Sequence, residues 1–149
     1  MIVVIQRVLK ASVSVEGKLF SSINRGLLIL VGLEKNDVAA DLEYCVKKVT
    51  ELRIFQDNLG KMNLSVADIG GEILAVSQFT LAGDIRKGRR PGFDNAMEPI
   101  LAEKMFNRFI SMLVETGISI KIGSFGDNME VSLINDGPVT FVVDSKKRI

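Results

Sequence analysis

Apolar and polar positions alternate with a period of two over residues 11–15, the pattern of a strand with one face buried. Residues 2–9 and 11–16 are predicted as two strands, with Val13 and Val15 on one face of the second and Glu16-Gly17 as the turn into a third. "LLILV" at 27–31 is apolar throughout, so it reads as a strand covered on both faces. The period then lengthens. Val38, Leu42, Cys45, Val49 and Leu52 recur at helical spacing behind Asp37, a good N-cap, and predict a helix to about residue 51. "LRIF" follows as a short strand, "QDNLG" as a turn and "KMNLSVADIGG" as an irregular stretch.

A strand over 72–79 comes next, then a glycine- and arginine-rich loop, "LAGDIRKGRRPGF". The longest predicted helix starts at Pro99, suited to a first helical turn, and stops at Gly117. Its apolar stripe is Leu101, Met105, Phe109, Met112 and Leu113. Strands near 118–122, 129–134 and 139–144 complete the chain, with "NDGP" as a turn between the last two. No repeat, low-complexity tract or linker interrupts the 149 residues, so a single domain over 1–149 is expected. The element order implies a mixed α/β (α+β) class: a largely antiparallel or mixed sheet, barrel-like, with two main helices.

Composition changes this picture chiefly by what is missing. There is no histidine, so Ser-His-Asp and Cys-His nucleophile systems and imidazole zinc sites cannot be built. The lone Cys45 falls on the buried stripe of its helix and reads as a packing residue. One cysteine forms no internal disulfide, which fits a reducing cytosol. The longest apolar run, "GLLILVGL" at 26–33, is strand-sized, and no basic region precedes the apolar N-terminus. Neither a membrane span nor a secretory signal is expected, and a cytoplasmic location is. Net charge is only +1, but four cations stand together at Arg86, Lys87, Arg89 and Arg90, and "KKR" at 146–148 adds three more. Such clusters suit phosphate contacts or a solvated loop and tail.

Two short motifs remain. "SQFT" at 77–80 places two hydroxyls and an amide at the end of an apolar strand, and "NDGPVT" at 135–140 joins a permissive glycine to a proline that lacks a donor. On spacing alone the second is a turn between strands. Together with "VVIQRV", "LRIF", "GKMNLSV", "GGEILAVSQFTL", "RKGRRPGF" and "FGDNMEVSLINDGPVTF", however, they make a chain that resembles the D-aminoacyl-tRNA deacylases of the bacterial D-Tyr-tRNA deacylase type, nearly end to end.

That resemblance implies a homodimer with active sites shared across the interface, and aminoacyl-tRNA, met at its 3′ acceptor end, as substrate. It implies that Gly137 and Pro138 form a cis pair that enters the partner's pocket and leaves no room for an L side chain. D-aminoacyl esters, and glycyl esters with them, are then the substrates. Ser77, Gln78, Phe79 and Thr80 would form the catalytic wall, with the Phe79 and Thr80 N–H groups holding the ester carbonyl. Arg7 would brace the Gly-Pro segment, Phe125 and Met129 would line the adenosine end, and Arg86, Lys87, Arg89 and Arg90 would meet tRNA phosphates. No cofactor or metal is implied. Two attackers stay open: the Thr80 hydroxyl, and water helped by the terminal ribose 2′-hydroxyl. Water is favoured, because no base stands beside Thr80. A binder of the acceptor end that does not turn it over is the alternative, and a metal-dependent hydrolase a weaker one.

Overall fold

The first and last long strands form the spine of the molecule in a computed structural model that describes residues 1–148. β1 (Ile2–Val15) and β8 (Glu130–Asp144) run antiparallel, from Ile2 opposite Asp144 to Ser14 opposite Glu130. The other edge of β1 is shared. Residues 11–15 pair with β2 (Lys18–Ile23) and residues 2–8 with β3 (Gly26–Gly32), both antiparallel. The β1–β2 turn is the expected Glu16-Gly17, with φ of 50° and 73°, the double left-handed geometry whose twist matches a tight hairpin.

β3 continues the sheet to β6 (Glu72–Ser77), and β6 to β7 (Ser119–Ile122), both joins being parallel. The Ser21 hydroxyl of β2 donates to the Ile122 carbonyl of β7 at 2.7 Å, which draws the far edges together into a barrel-like curl. A small separate pair, β4 (Phe55–Gln56) with β5 (Met62–Leu64), lies outside this sheet. "KMNLSV", expected to be irregular, therefore contributes a strand, and "LRIF" pairs only through its last residue.

Helices α1 (Ala39–Glu51) and α2 (Pro99–Glu115) cover one face. Leu27 and Ile29 of β3 pack there with Leu42, Cys45 and Val49 of α1 and Phe106, Phe109 and Leu113 of α2. Leu28 points the other way, into a second cluster with Val8, Val13, Leu74 and Val76. β3 is thus buried on both sides, as its unbroken apolar run predicts. Burial pushes the Cys45 thiol up to about 12, which leaves it a packing group.

Several expectations change. The two N-terminal strands are one, and so are the two at the end: "NDGP" is a bulge inside β8, where the register slips between Gln6 and Val8 and again before Lys10. Helix α1 begins after Val38, not Asp37, and it is Asp41 that reaches back to accept the Val38 N–H at 2.8 Å. The α2 stripe centres on Phe106, while Leu101 is 48% exposed. Glu98 caps α2 by accepting from the Ile100 and Leu101 N–H groups, and Gly117, at φ 81°, closes it.

Candidate active site

β3 and β6 run parallel and end at the same edge, with Val31 opposite Ser77. The chain leaves β6 there, so the strand is shorter than the predicted 72–79. The Gln78 N–H still donates to the Val31 carbonyl at 2.8 Å, and then Phe79–Ala82 wind into a single 3₁₀ turn. The first main-chain bond of that turn runs from the Leu81 N–H to the Gln78 carbonyl at 3.2 Å. Among the described residues the Phe79 and Thr80 N–H groups have no acceptor. The Gln78 Nε2 amide donates to Thr80 Oγ1 at 2.5 Å, and the exposed Phe79 ring meets Phe93 edge-on with centroids 5.0 Å apart. The turn therefore presents the Thr80 hydroxyl, the Gln78 amide and two free main-chain donors, with Ser77 half-buried at the end of β6 beside it.

Met129 reaches the same edge. A Cβ on Gly123 would lie 2.7 Å from its Sδ and 3.6 Å from both Val76 methyls, so the Gly123 backbone is wedged between Met129 and the end of β6. Phe125 sits in the turn between Gly123 and Met129, its ring 5.8 Å from that of Phe106. It packs against the helix-side core.

Arg7 builds a second frame. Its buried guanidinium donates from Nε to the Asp136 carbonyl at 2.9 Å and from Nη1 to the Ile54 carbonyl, and it lies 3.1 Å from the Asp136 carboxylate. Asn135 donates from Nδ2 to the Arg7 and Val139 carbonyls, both at 3.0 Å. Between these anchors the Gly137-Pro138 bond is cis, and both residues are exposed. The expectation of a cis pair holds. Sequence reasoning missed Asn135, whose amide closes the bulge. Its only signal was an amide next to an Asp-Gly-Pro run.

The two frames stand apart. Arg7 is opposite Leu27 and Val3 is opposite Val31, so they differ by four positions along β3, roughly 13 Å at the rise of a strand. "SQFT" lies at the end of β6, and the Gly-Pro bulge lies in the middle of β8, on the far side of β1 and β3.

Arg86, Lys87, Arg89 and Arg90 lie on an exposed hairpin whose neck is closed by reciprocal main-chain bonds between Asp84 and Gly92 at 2.7 and 2.9 Å. Arg86 is not free there. It grips both oxygens of Asp84 at 2.9 and 2.7 Å, which holds that carboxyl well below the usual range and raises the guanidinium. The C-terminal cations are also engaged. Lys146 Nζ is 2.7 Å from Asp41, and Arg148 bridges Glu34 and Asp144, beside the Met1 ammonium that contacts Glu34 and Asp37. "KKR" is therefore an internal clasp at its first and third residues rather than a phosphate-binding tail.

With this geometry in view, the relatives are consistent. Residues 4–144 match the family model of D-Tyr-tRNA(Tyr) deacylase. A D-aminoacyl-tRNA deacylase of Thermodesulfovibrio yellowstonii is 54% identical over 98% of this chain and 100% of its own length. Another, of Geobacter sulfurreducens, is 51% identical over 97% of this chain and 95% of its own. Among solved structures, the c-Myc DNA Unwinding Element Binding Protein superposes with a TM-score of 0.92 at 43% identity, covering 97% of this chain and 98% of that one. The chain belongs to the D-aminoacyl-tRNA deacylase family, and the mixed-sheet, two-helix fold is that family's fold. Among the described residues no helix is long and apolar enough to cross a membrane.

Proposed function

We propose that this chain hydrolyses the ester of D-aminoacyl-tRNA, and of glycyl-tRNA, releasing the amino acid and free tRNA, and that it does so in the cytoplasm where tRNA is charged. The observation that carries the reading, beside family membership, is the exposed turn after β6 with two unbonded N–H groups next to the Thr80 hydroxyl and the Gln78 amide. Such donors stabilise the oxyanion of a tetrahedral intermediate, each worth roughly 3–4 kcal/mol when well placed. An aminoacyl ester is already activated, so positioning and oxyanion stabilisation suffice for its cleavage.

Water is the attacking group in this scheme. The Gln78 amide donates into the Thr80 oxygen, which occupies a lone pair a nucleophile would use and leaves the hydroxyl proton free to orient water. Asp84, the nearest carboxylate in sequence, has both oxygens engaged by Arg86 and its pKa lowered, which makes it a weak base. Water, aligned by Thr80, adds to the carbonyl, and its proton passes through the ribose 2′-hydroxyl to the 3′-oxygen, which leaves as the tRNA hydroxyl as the C–O bond breaks and the amino acid is released.

The chiral filter belongs to a second copy of the chain. Within one chain the bulge is offset from the turn by roughly 13 Å along the strands and lies on β8, with β1 and β3 between it and β6, whereas in a homodimer Gly137 and Pro138 of one protomer can face Ser77–Thr80 of the other. Their carbonyls then receive the substrate's amino group, and their bulk excludes a side chain on the L side. Exposed apolar residues flanking the bulge, Ile134, Phe141 and Val142 on β8 with Leu9 on β1, suit such an interface. Phe125 and Met129 line the adenosine end, and the arginine-rich hairpin meets tRNA phosphates. Side-by-side deacylation of D-Tyr-, L-Tyr- and Gly-tRNA in EDTA tests the reading. Loss of the D and glycyl esters alone is expected; cleavage of none, or of D and L equally, overturns it.

A further inference from the structure

We propose that Phe93 is a positioning residue for the catalytic turn, its ring holding the Phe79–Thr80 main chain in place from outside; the inference rests on the deacylase reading above. A 3₁₀ turn of four residues has few internal bonds and is stiffened by what touches it. Two contacts do so here, on opposite sides. On the inside, a Cβ on Gly32 would fall 2.7 Å from Leu81 Cβ and 3.0 Å from the Gln78 carbonyl oxygen, so the turn sits directly on the backbone of β3. On the outside, a Cβ on Gly83 would fall 3.0 Å from Phe93 Cε1 and 2.9 Å from the Thr80 carbonyl oxygen. The Phe93 ring thus lies on the main chain that closes the turn, and its edge meets the Phe79 ring at an interplanar angle of 62°.

Phe93 is itself held. It follows Gly92, which pairs with Asp84 at the hairpin neck, and its carbonyl accepts the Ala96 N–H at 3.0 Å. Beyond it the Lys35 N–H donates to the Asn95 carbonyl at 3.0 Å, and the Met97 N–H to the Leu33 carbonyl at 3.1 Å, tying the segment to the end of β3. The ring is nevertheless 38% exposed, and its partner Phe79 is 59% exposed, so neither belongs to the core. A ring fixed at its backbone, left half in water and pressed on a glycine beside the reacting groups serves geometry more than stability.

The test compares wild type with Phe93→Ala, Phe93→Leu and Phe93→Tyr, following kcat and KM on D-Tyr-tRNA, thermal stability, and amide exchange at Leu81 and Gly83, whose N–H groups bond to the Gln78 and Thr80 carbonyls. For Phe93→Ala the expected result is a 10- to 100-fold fall in kcat, the scale of a misplacement of about 1 Å. KM should stay within about twofold, the split that marks lost transition-state positioning. Exchange at Leu81 and Gly83 should quicken, Phe93→Tyr should restore most of kcat, and Phe93→Leu should fall between. A raised KM with unchanged kcat would make Phe93 a tRNA contact and overturn the proposal; unchanged exchange at both amides would overturn it as well. If wild type cleaves no D-ester, the deacylase reading fails instead, and the exchange data, which need no substrate, still decide whether Phe93 holds the turn.

Discussion

Thr80 and Gln78 work as one unit at the scale of single residues, because the amide of one fixes the hydroxyl of the other at 2.5 Å. Thr80→Ser keeps the hydroxyl and should retain activity within about threefold, whereas Thr80→Val should lose about 10²-fold in kcat, a common size for a proton-positioning group. Pre-steady-state kinetics should show no burst of acyl-enzyme; a trapped ester on Thr80 would instead make it the nucleophile. Gly137 is a second point of sensitivity. A Cβ there would lie 2.1 Å from Asn135 Oδ1, so Gly137→Ala must displace the side chain that spans the bulge between Arg7 and Val139. Loss of deacylation with the fold retained by circular dichroism is expected. A fully active variant would leave the Gly-Pro pair a structural bulge with no part in the reaction.

At the scale of elements, the arginine-rich hairpin and the C-terminal tail carry similar charge and do different work. Arg86 is neutralised by Asp84 within its own hairpin, while no ion pair among the described residues engages Lys87, Arg89 or Arg90. Arg89→Ala with Arg90→Ala should therefore weaken tRNA binding and flatten its salt dependence by roughly 0.7–0.9 per lost phosphate contact. Arg86→Ala alone should do less. Lys146→Ala with Arg148→Ala should leave tRNA affinity unchanged and lower thermal stability, since those side chains face Asp41, Glu34 and Asp144. Filter binding over a salt series separates the two.

The same clasp gives the molecule a pH dependence. Asp144 is held at about 2 chiefly by the Arg148 hydrogen bond. Asp41 is also at about 2: burial raises it, and the bonds from Lys146, Ser145 and the Val38 N–H more than offset that. Both lie below the ordinary carboxylate value of about 3.9, so the folded state binds fewer protons than the unfolded one. Their stabilisation is present above about pH 4 and is lost as pH falls towards 2. Melting curves should show that loss, and the Lys146→Ala/Arg148→Ala variant should show less of it while starting lower at pH 7. Dilution below dimer dissociation should abolish deacylation if the site is completed across two copies; a concentration-independent specific activity would contradict that.

Periodicity and end signals sufficed wherever the forces are local. The buried β3, the Glu16-Gly17 hairpin turn, and Pro99 and Gly117 bounding α2 follow from an unbroken apolar run, fixed φ and left-handed glycine. The "SQFT" and "NDGPVT" motifs were legible too, though as strings rather than as places. Long-range pairing decided the rest. "NDGP" looks like a turn because its glycine and proline interrupt pairing locally, but β1 resumes the ladder on either side and makes it a bulge. Asp37 looks like a helix cap until a chain end 36 residues away claims its carboxylate. "KKR" looks like a phosphate tail until carboxylates from the turn after β3, α1 and the end of β8 surround its ends. The sequence by itself determined which residues could do chemistry, since side-chain identity and local backbone preference are written in it. Only the tertiary structure decided which of them meet, because charge pairing and sheet register are settled between segments far apart in the chain.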